Sequence, residues 1–261
     1  MSTYILIHGA WHGAWCWRRV TPLLELAGHT VITPDLPGHG YDLTPLAAVT
    51  FASYVQCVVE IIDAQPAEEP IILLGHSLAG MVISQVAEAR AERIRLLVYL
   101  SALLPKSGET ALQITECEEN PRLEDCLEVD GLSVRLLPAK ARDIFYQDCD
   151  EKEIHEAAQH LTSQALLPLA TPVTLTTRFL RVPRIYLTCR YDLVISAGLQ
   201  RQMYGETPCQ RVIWLMTGHC PFLSAPDRLA ARLLGIARFA QNPSGRWGDA
   251  ATIQVSPPRQ E

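Results

Sequence analysis

Near-continuous apolar runs alternate along this chain with longer stretches in which apolar residues return every three or four positions. The runs are YILI (residues 4–7), TVIT (30–33), IILL (71–74), LLVYL (96–100), RIYLTC (184–189) and RVIWLM (211–216). They are rich in β-branched and aliphatic side chains and lack the polar alternation of a half-exposed strand. That pattern predicts strands buried on both faces of a parallel sheet. Between them, Phe51, Tyr54, Val55, Val58, Val59 and Ile62 fall on one helical face behind Thr50, a capping residue, and Pro66 closes the segment. Residues 15–27, 78–90 and 226–240 carry the other helical patterns. Strand and helix in alternation predict an α/β fold: a mainly parallel six-stranded sheet, helices on both faces, right-handed crossovers.

Between residues 104 and 181 the alternation stops. No buried strand is readable there; the stretch passes from ECEENPRLEDCLEVDG through a helical DEKEIHEAAQHL to LLPLATPVTL. An insertion of that size between two core strands predicts a helical lid over a site. The expected organisation is a core made of residues 1–103 and 182–241, a lid of residues 104–181, and a tail of residues 242–261. The tail carries turn and proline signals without periodicity and is expected to be poorly ordered.

Composition narrows the function classes. With 261 residues, 48% of them hydrophobic, the chain can fill a substantial core. Its 22 basic residues are scattered and the net charge is −6, so no basic stripe invites nucleic acid or an anionic membrane. MSTYILIHGA lacks the charged and apolar regions of a signal peptide, and no apolar run has the length of a bilayer, which predicts a cytoplasmic protein with no membrane partner. The eight cysteines are irregularly spaced without C-x-x-C and read as mostly reduced core thiols. His8 and His12 sit in a loop without a partner pair, so no metal is expected, and no cofactor motif is present.

The chemistry starts at GHSLA, Gly75 to Ala79, between the run IILL and the helical LAGMVISQVAEA. Strand, tight turn and helix are the context of a nucleophile elbow, G-x-S-x-G, with Ala79 replacing the last glycine. The turn needs small residues two before and two after the serine, and it lifts the Ser77 hydroxyl above the sheet edge at a helix N-terminus. The plainer reading of Ser77 is a helix cap. A serine hydroxyl attacks only when a base takes its proton and a third group orients that base. Asp192 follows the fifth run in CRYDLVIS and His219 follows the sixth in MTGHCPF, both at the carboxyl edge of the sheet. Asp227, at a helix start where an acid suits the dipole, is the rival carboxylate. His39 in LPGHG is the rival base; His29 lies at the wrong end of its strand, and His76 belongs to the elbow and is expected to point away. Two backbone N–H groups should hold the oxyanion: that of Leu78, next after the serine, and that of Ala10 in the glycine-bearing HGAWHGAWCW after the first strand.

Together LIHGAWHGAWCW, PDLPGHG, GHSLAGM, RYD and GHC resemble the α/β-hydrolases, and within them the short subgroup of plant methylesterases (the salicylate-binding and polyneuridine aldehyde esterase type) and hydroxynitrile lyases. The resemblance spans about residues 4–240. It implies a Ser77, Asp192, His219 triad, Ala10 and Leu78 as oxyanion donors, residues 104–181 as the lid and, since members often pair, a homodimer; a pocket with few charges suits a small neutral ester or lactone as substrate. Hydroxynitrile lyases of this subgroup place a lysine directly after the triad histidine and a hydroxyl-bearing residue near the oxyanion loop. Here Cys220 and Ala10 stand at those positions, and a neutral thiol supplies no fixed cation, which favours the esterase. A receptor-like member with little turnover is the reading from a different class. Leu166, Leu167, Leu169 and Phe145 of the lid, with Trp11 and Trp15, are the apolar candidates for the pocket wall or for packing beneath the lid.

Overall fold

The computed structural model describes residues 1–117 and 123–241; the expected tail, residues 242–261, lies outside the described residues. Nine strands and eleven helices are described. The strands are β1 (Thr3–Ile7), β2 (Thr30–Ile32), β3 (Ile71–His76), β4 (Ile94–Leu100), β5 (Leu127–Asp130), β6 (Ser133–Leu136), β7 (Gln164–Ala165), β8 (Arg184–Cys189) and β9 (Arg211–Leu215). The helices are α1 (Thr21–Leu26), α2 (Phe51–Asp63), α3 (Ala79–Arg90), α4 (Ala111–Thr115), α5 (Pro138–Phe145), α6 (Glu151–His160), α7 (Leu166–Ala170), α8 (Thr177–Arg181), α9 (Ala197–Glu206), α10 (Pro221–Ser224) and α11 (Pro226–Gln241).

Six strands form one parallel sheet in the order β2-β1-β3-β4-β8-β9. The order reverses between β1 and β3, so the loops after these two strands open a crevice at the carboxyl edge. Every residue of β1, β3 and β8 is buried, as their unbroken apolar runs require. The edge strands β2 and β9 are half-exposed, because each has a neighbour on one side only. Helix α3 is buried nearly all round, packed against α2 and α8 as well as β3 and β4. Thr50 caps α2 through a reciprocal pair with Ser53. The helical pattern at residues 15–27 resolves into a single 3-10 turn, Ala14–Trp17, and the short α1, which starts beside Pro22.

The insertion departs from the helical reading. It carries a second sheet, three antiparallel strands in the order β5-β6-β7, besides the five helices α4 to α8. Asp130 pairs with Ser133 and the chain turns through Gly131 and Leu132, with Gly131 at φ of 58°, and Ser133, Val134 and Leu136 of β6 are buried. Four-residue strands are too short for their alternation to stand out. Among the described residues no helix is long and apolar enough to cross a membrane, and all eight cysteines are free thiols.

Candidate active site

Ser77 ends β3 and precedes α3 with φ of 53°, the left-handed region that non-glycine residues avoid. Its neighbours hold it there. Its N–H donates to Leu100 O at 3.4 Å, and its carbonyl accepts from Leu103 N at 3.0 Å and Gly80 N at 3.1 Å. The closest approach falls one residue later than the sequence pattern places it: a Cβ on Gly80 would stand 2.0 Å from Leu103 O, so α3 can begin here only with glycine at that position. Ser77 keeps 8% of its surface.

Asp192 and His219 come together from the loops after β8 and β9. His219 Nδ1–H donates to Asp192 Oδ2 at 2.7 Å, with both side chains buried. That fixes the tautomer and leaves Nε2 as the acceptor of the ring. Asp192 Oδ1 accepts from Val194 N at 2.7 Å and Ile195 N at 2.9 Å, and Oδ2 also accepts from the Ser101 hydroxyl. Asp227 is exposed at the start of α11. His39 is buried in the loop after β2, where its Nε2 donates to Gln164 Oε1 at 3.1 Å. His76 does not point idly away. Its Nε2–H donates to His219 O at 2.9 Å and its ring lies 4.5 Å from the His219 ring, joining the elbow to the histidine loop. Burial holds His76 well below the ordinary histidine range, so it stays neutral.

The loop after β1 is the third wall. Its Ala10 is followed by Trp11 with φ of 63°. His12 Nδ1–H donates to Ala10 O at 2.9 Å, and Tyr146 O–H donates to His12 Nε2 at 2.9 Å; burial lowers His12 to about 4 and keeps that acceptor available. The insertion grips Trp11 as well: Thr162 N donates to Trp11 O, and Trp11 Nε1–H donates to Val134 O, each at 2.9 Å. A Cβ on Gly9 would stand 2.8 Å from Ser77 Cβ, so glycine lets this loop lie directly against the elbow. His8 is a satisfied core histidine, with Nδ1–H donating to Gly9 O and Nε2 accepting from Leu36 N.

A cavity of about 340 Å³ opens above Ser77. Ala10, Trp11, Ser77 and Leu78 line its core side, Val194 and Ile195 the side of Asp192, and Leu166, Leu169, Leu127 and Val134 the insertion side. Among its described lining residues Ser77, Thr115 and Glu124 alone have polar aliphatic side chains. Leu167 is not part of the wall and is 55% exposed. Phe145 lies behind it, edge-on to both Trp11 and His219, and Trp15 stacks on His12. Cys220 is fully buried with its Sγ 4.0 Å from His12 Nε2, and burial pushes its thiol well up, so it is neutral. Ser101, Tyr146, Gly80 and Asp148, whose carboxylate accepts from Gly218 N at 2.7 Å, escape sequence reasoning.

The model of the alpha/beta hydrolase family matches residues 4–232. A pyrethroid hydrolase of Sphingobium wenxiniae is 36% identical over 259 residues, which cover 94% of this chain and 89% of that protein. Salicylic acid-binding protein 2 of Nicotiana tabacum is 30% identical, over 90% of this chain and 96% of that one. Among solved structures, a pyrethroid hydrolase from Sphingobium faniae superposes with a TM-score of 0.82 at 33% identity, covering 93% of this chain and 98% of its own. Polyneuridine aldehyde esterase gives 0.82 at 26% identity, covering 91% and 99%.

Proposed function

Since the chain belongs to the alpha/beta hydrolase family, we propose that it hydrolyses small, largely neutral carboxylic esters, with Ser77 as nucleophile, His219 as base and Asp192 as its orienting acid. The observation that carries this reading is the buried 2.7 Å bond from His219 to Asp192, beside an elbow serine that floors an apolar cavity. Ser77 attacks the ester carbonyl as His219 Nε2 takes its proton. The Ala10 and Leu78 N–H groups stabilise the oxyanion, and His219 then protonates the departing alcohol. Water, deprotonated by the same histidine, releases the acid from the acyl-enzyme.

The insertion, residues 104–181, acts as the lid. Its leucines favour an uncharged, apolar substrate, and the names of relatives, pyrethroid hydrolase and methylesterase, support hydrolysis of an ester. The neutral Cys220 beside His219 offers no fixed cation for a leaving cyanide, which supports hydrolysis over cyanohydrin cleavage. Eight free thiols support a reducing compartment, the cytoplasm. A homodimer follows from the resemblance alone, and light scattering of the purified protein tests it.

Purified protein is assayed on p-nitrophenyl esters of increasing acyl length, beside Ser77→Ala. Wild type should turn over the neutral esters, with Ser77→Ala lowering kcat by on the order of 10⁵-fold. A wild type inactive across the series, or a Ser77→Ala variant of ordinary activity, overturns the reading.

A further inference from the structure

Three non-glycine residues among those described have left-handed φ: Trp11, Ser77 and Ser101, at 63°, 53° and 41°. Each stands just beyond a central strand at the carboxyl edge, after β1, β3 and β4. Such backbone costs free energy and persists where the surroundings impose it, and it gathers at working sites. Two of the three already have work in the proposed reaction: Ser77 attacks, and Trp11 follows the oxyanion donor Ala10. The third has none, yet it is fully buried and its backbone is tied down by Ser101 N donating to Leu187 O at 2.9 Å.

What the strain does at Ser101 is visible in its side chain. Its hydroxyl donates to Asp192 Oδ2, the oxygen that also accepts from His219 Nδ1–H. Oδ1 is held by two backbone N–H groups, so Ser101 is the donor that completes the hold on the carboxylate from the other strand. An extended residue at the end of β4 would alternate with its neighbours and aim its side chain to a face of the sheet. The left-handed turn re-aims it across β8 to the acid loop. We propose that Ser101 is a positioning residue of this site: its hydroxyl fixes the rotation of the Asp192 carboxylate and shares the charge of the oxygen that faces His219.

The inference rests on the esterase reading for its kinetic consequence, though not for its geometry. Loss of the hydroxyl leaves Oδ2 to His219 alone. The undivided charge stabilises the imidazolium more, while the carboxylate gains freedom to rotate. The groups facing the pair are His76 from the elbow, His12 from the loop after β1, Tyr186 and Cys189 from β8, and Asp148 and Cys220 from the flanking loops. Burial lowers both histidines and raises Tyr186 and both thiols, so these five stay neutral near pH 7.

Ser101→Ala keeps the Cβ and the strained backbone, and Ser101→Gly relieves the strain; both remove the hydroxyl. Each should lower kcat about tenfold with KM within about twofold, and move the acid limb of the kcat/KM profile upward by about half a pH unit. The glycine variant should be the more stable in thermal melts, without recovering activity. The resting enzyme gives a readout independent of turnover: the far-downfield proton resonance of the His219 Nδ1–H, titrated with pH, should shift its midpoint in the same direction. Activity that follows melting temperature, or an unmoved resonance midpoint in both variants, overturns the proposal. An inactive wild type whose resonance still responds to Ser101→Gly would instead overturn the esterase reading and leave the positioning role standing.

Discussion

The loops at the carboxyl edge of the sheet and the insertion above them meet at one cavity but are built differently. The edge loops keep Ala10, Ser77, Asp192 and His219 buried, and they hold every left-handed non-glycine residue described. The insertion is made of elements of two to ten residues, and it contributes the leucines of the cavity wall. It also reaches down to the loops after β1, β8 and β9: Thr162 and Val134 to Trp11, Tyr146 to His12, Gln147 to Tyr191 O, and Asp148 to Gly218. On the proposed reading, the chemistry, which tolerates errors of only a few tenths of an ångström, would rest on loops tied to the sheet, and the insertion would supply the apolar surface that meets the substrate. These clasps mean that the insertion also helps to set the geometry of the edge loops.

Four substitutions test how sharply the two regions divide. The largest effect belongs to the edge loops: Asp192→Asn should cost on the order of 10⁴-fold in kcat with KM little changed, because an amide cannot stabilise the imidazolium on His219. Asp227→Asn, at its exposed helix start, should be kinetically silent, and steady-state kinetics on both reads the ranking; equal losses would mean that the wrong carboxylate has been assigned. Next comes Gly9→Ala. A methyl 2.8 Å from Ser77 Cβ forces the loop after β1 off the elbow, and a displacement of that order should lower kcat about 10²-fold. Unchanged turnover would show that the loop yields and that its close seat is dispensable.

The smallest effect belongs to the insertion. Leu169→Ala should raise KM for short acyl esters by about fivefold to tenfold, the lower end of the about 1–3 kcal/mol of a lost apolar contact, and leave kcat within about threefold. Longer acyl chains should lose less. A large fall in kcat with every ester would break the division, since it would make the cavity wall part of the catalytic geometry.

Much of the site was legible because its parts are marked locally. A strand, a tight turn of small residues and a helix identify the elbow at Ser77, and Asp192 and His219 each follow a recognisable strand. The hairpin of β5 and β6 went unread, because four-residue strands are too short to announce themselves by periodicity. Tyr146 and Ser101 were not legible. Tyr146 bonds a residue 134 positions away and Ser101 one 91 positions away, and no local pattern encodes such a meeting.

By itself the sequence determined the parallel sheet, the elbow and the chain order of serine, acid and histidine, because each is written in short-range periodicity and turn chemistry. Which carboxylate meets which histidine, which hydroxyl braces that carboxylate, and how the insertion clasps the loop after β1 were decided only by the tertiary structure. The physical reason lies in the backbone: a left-handed residue such as Trp11 or Ser101 is unfavourable on its own, and only hydrogen bonds arriving from distant segments, Thr162 N to Trp11 O and Ser101 N to Leu187 O, hold it in place.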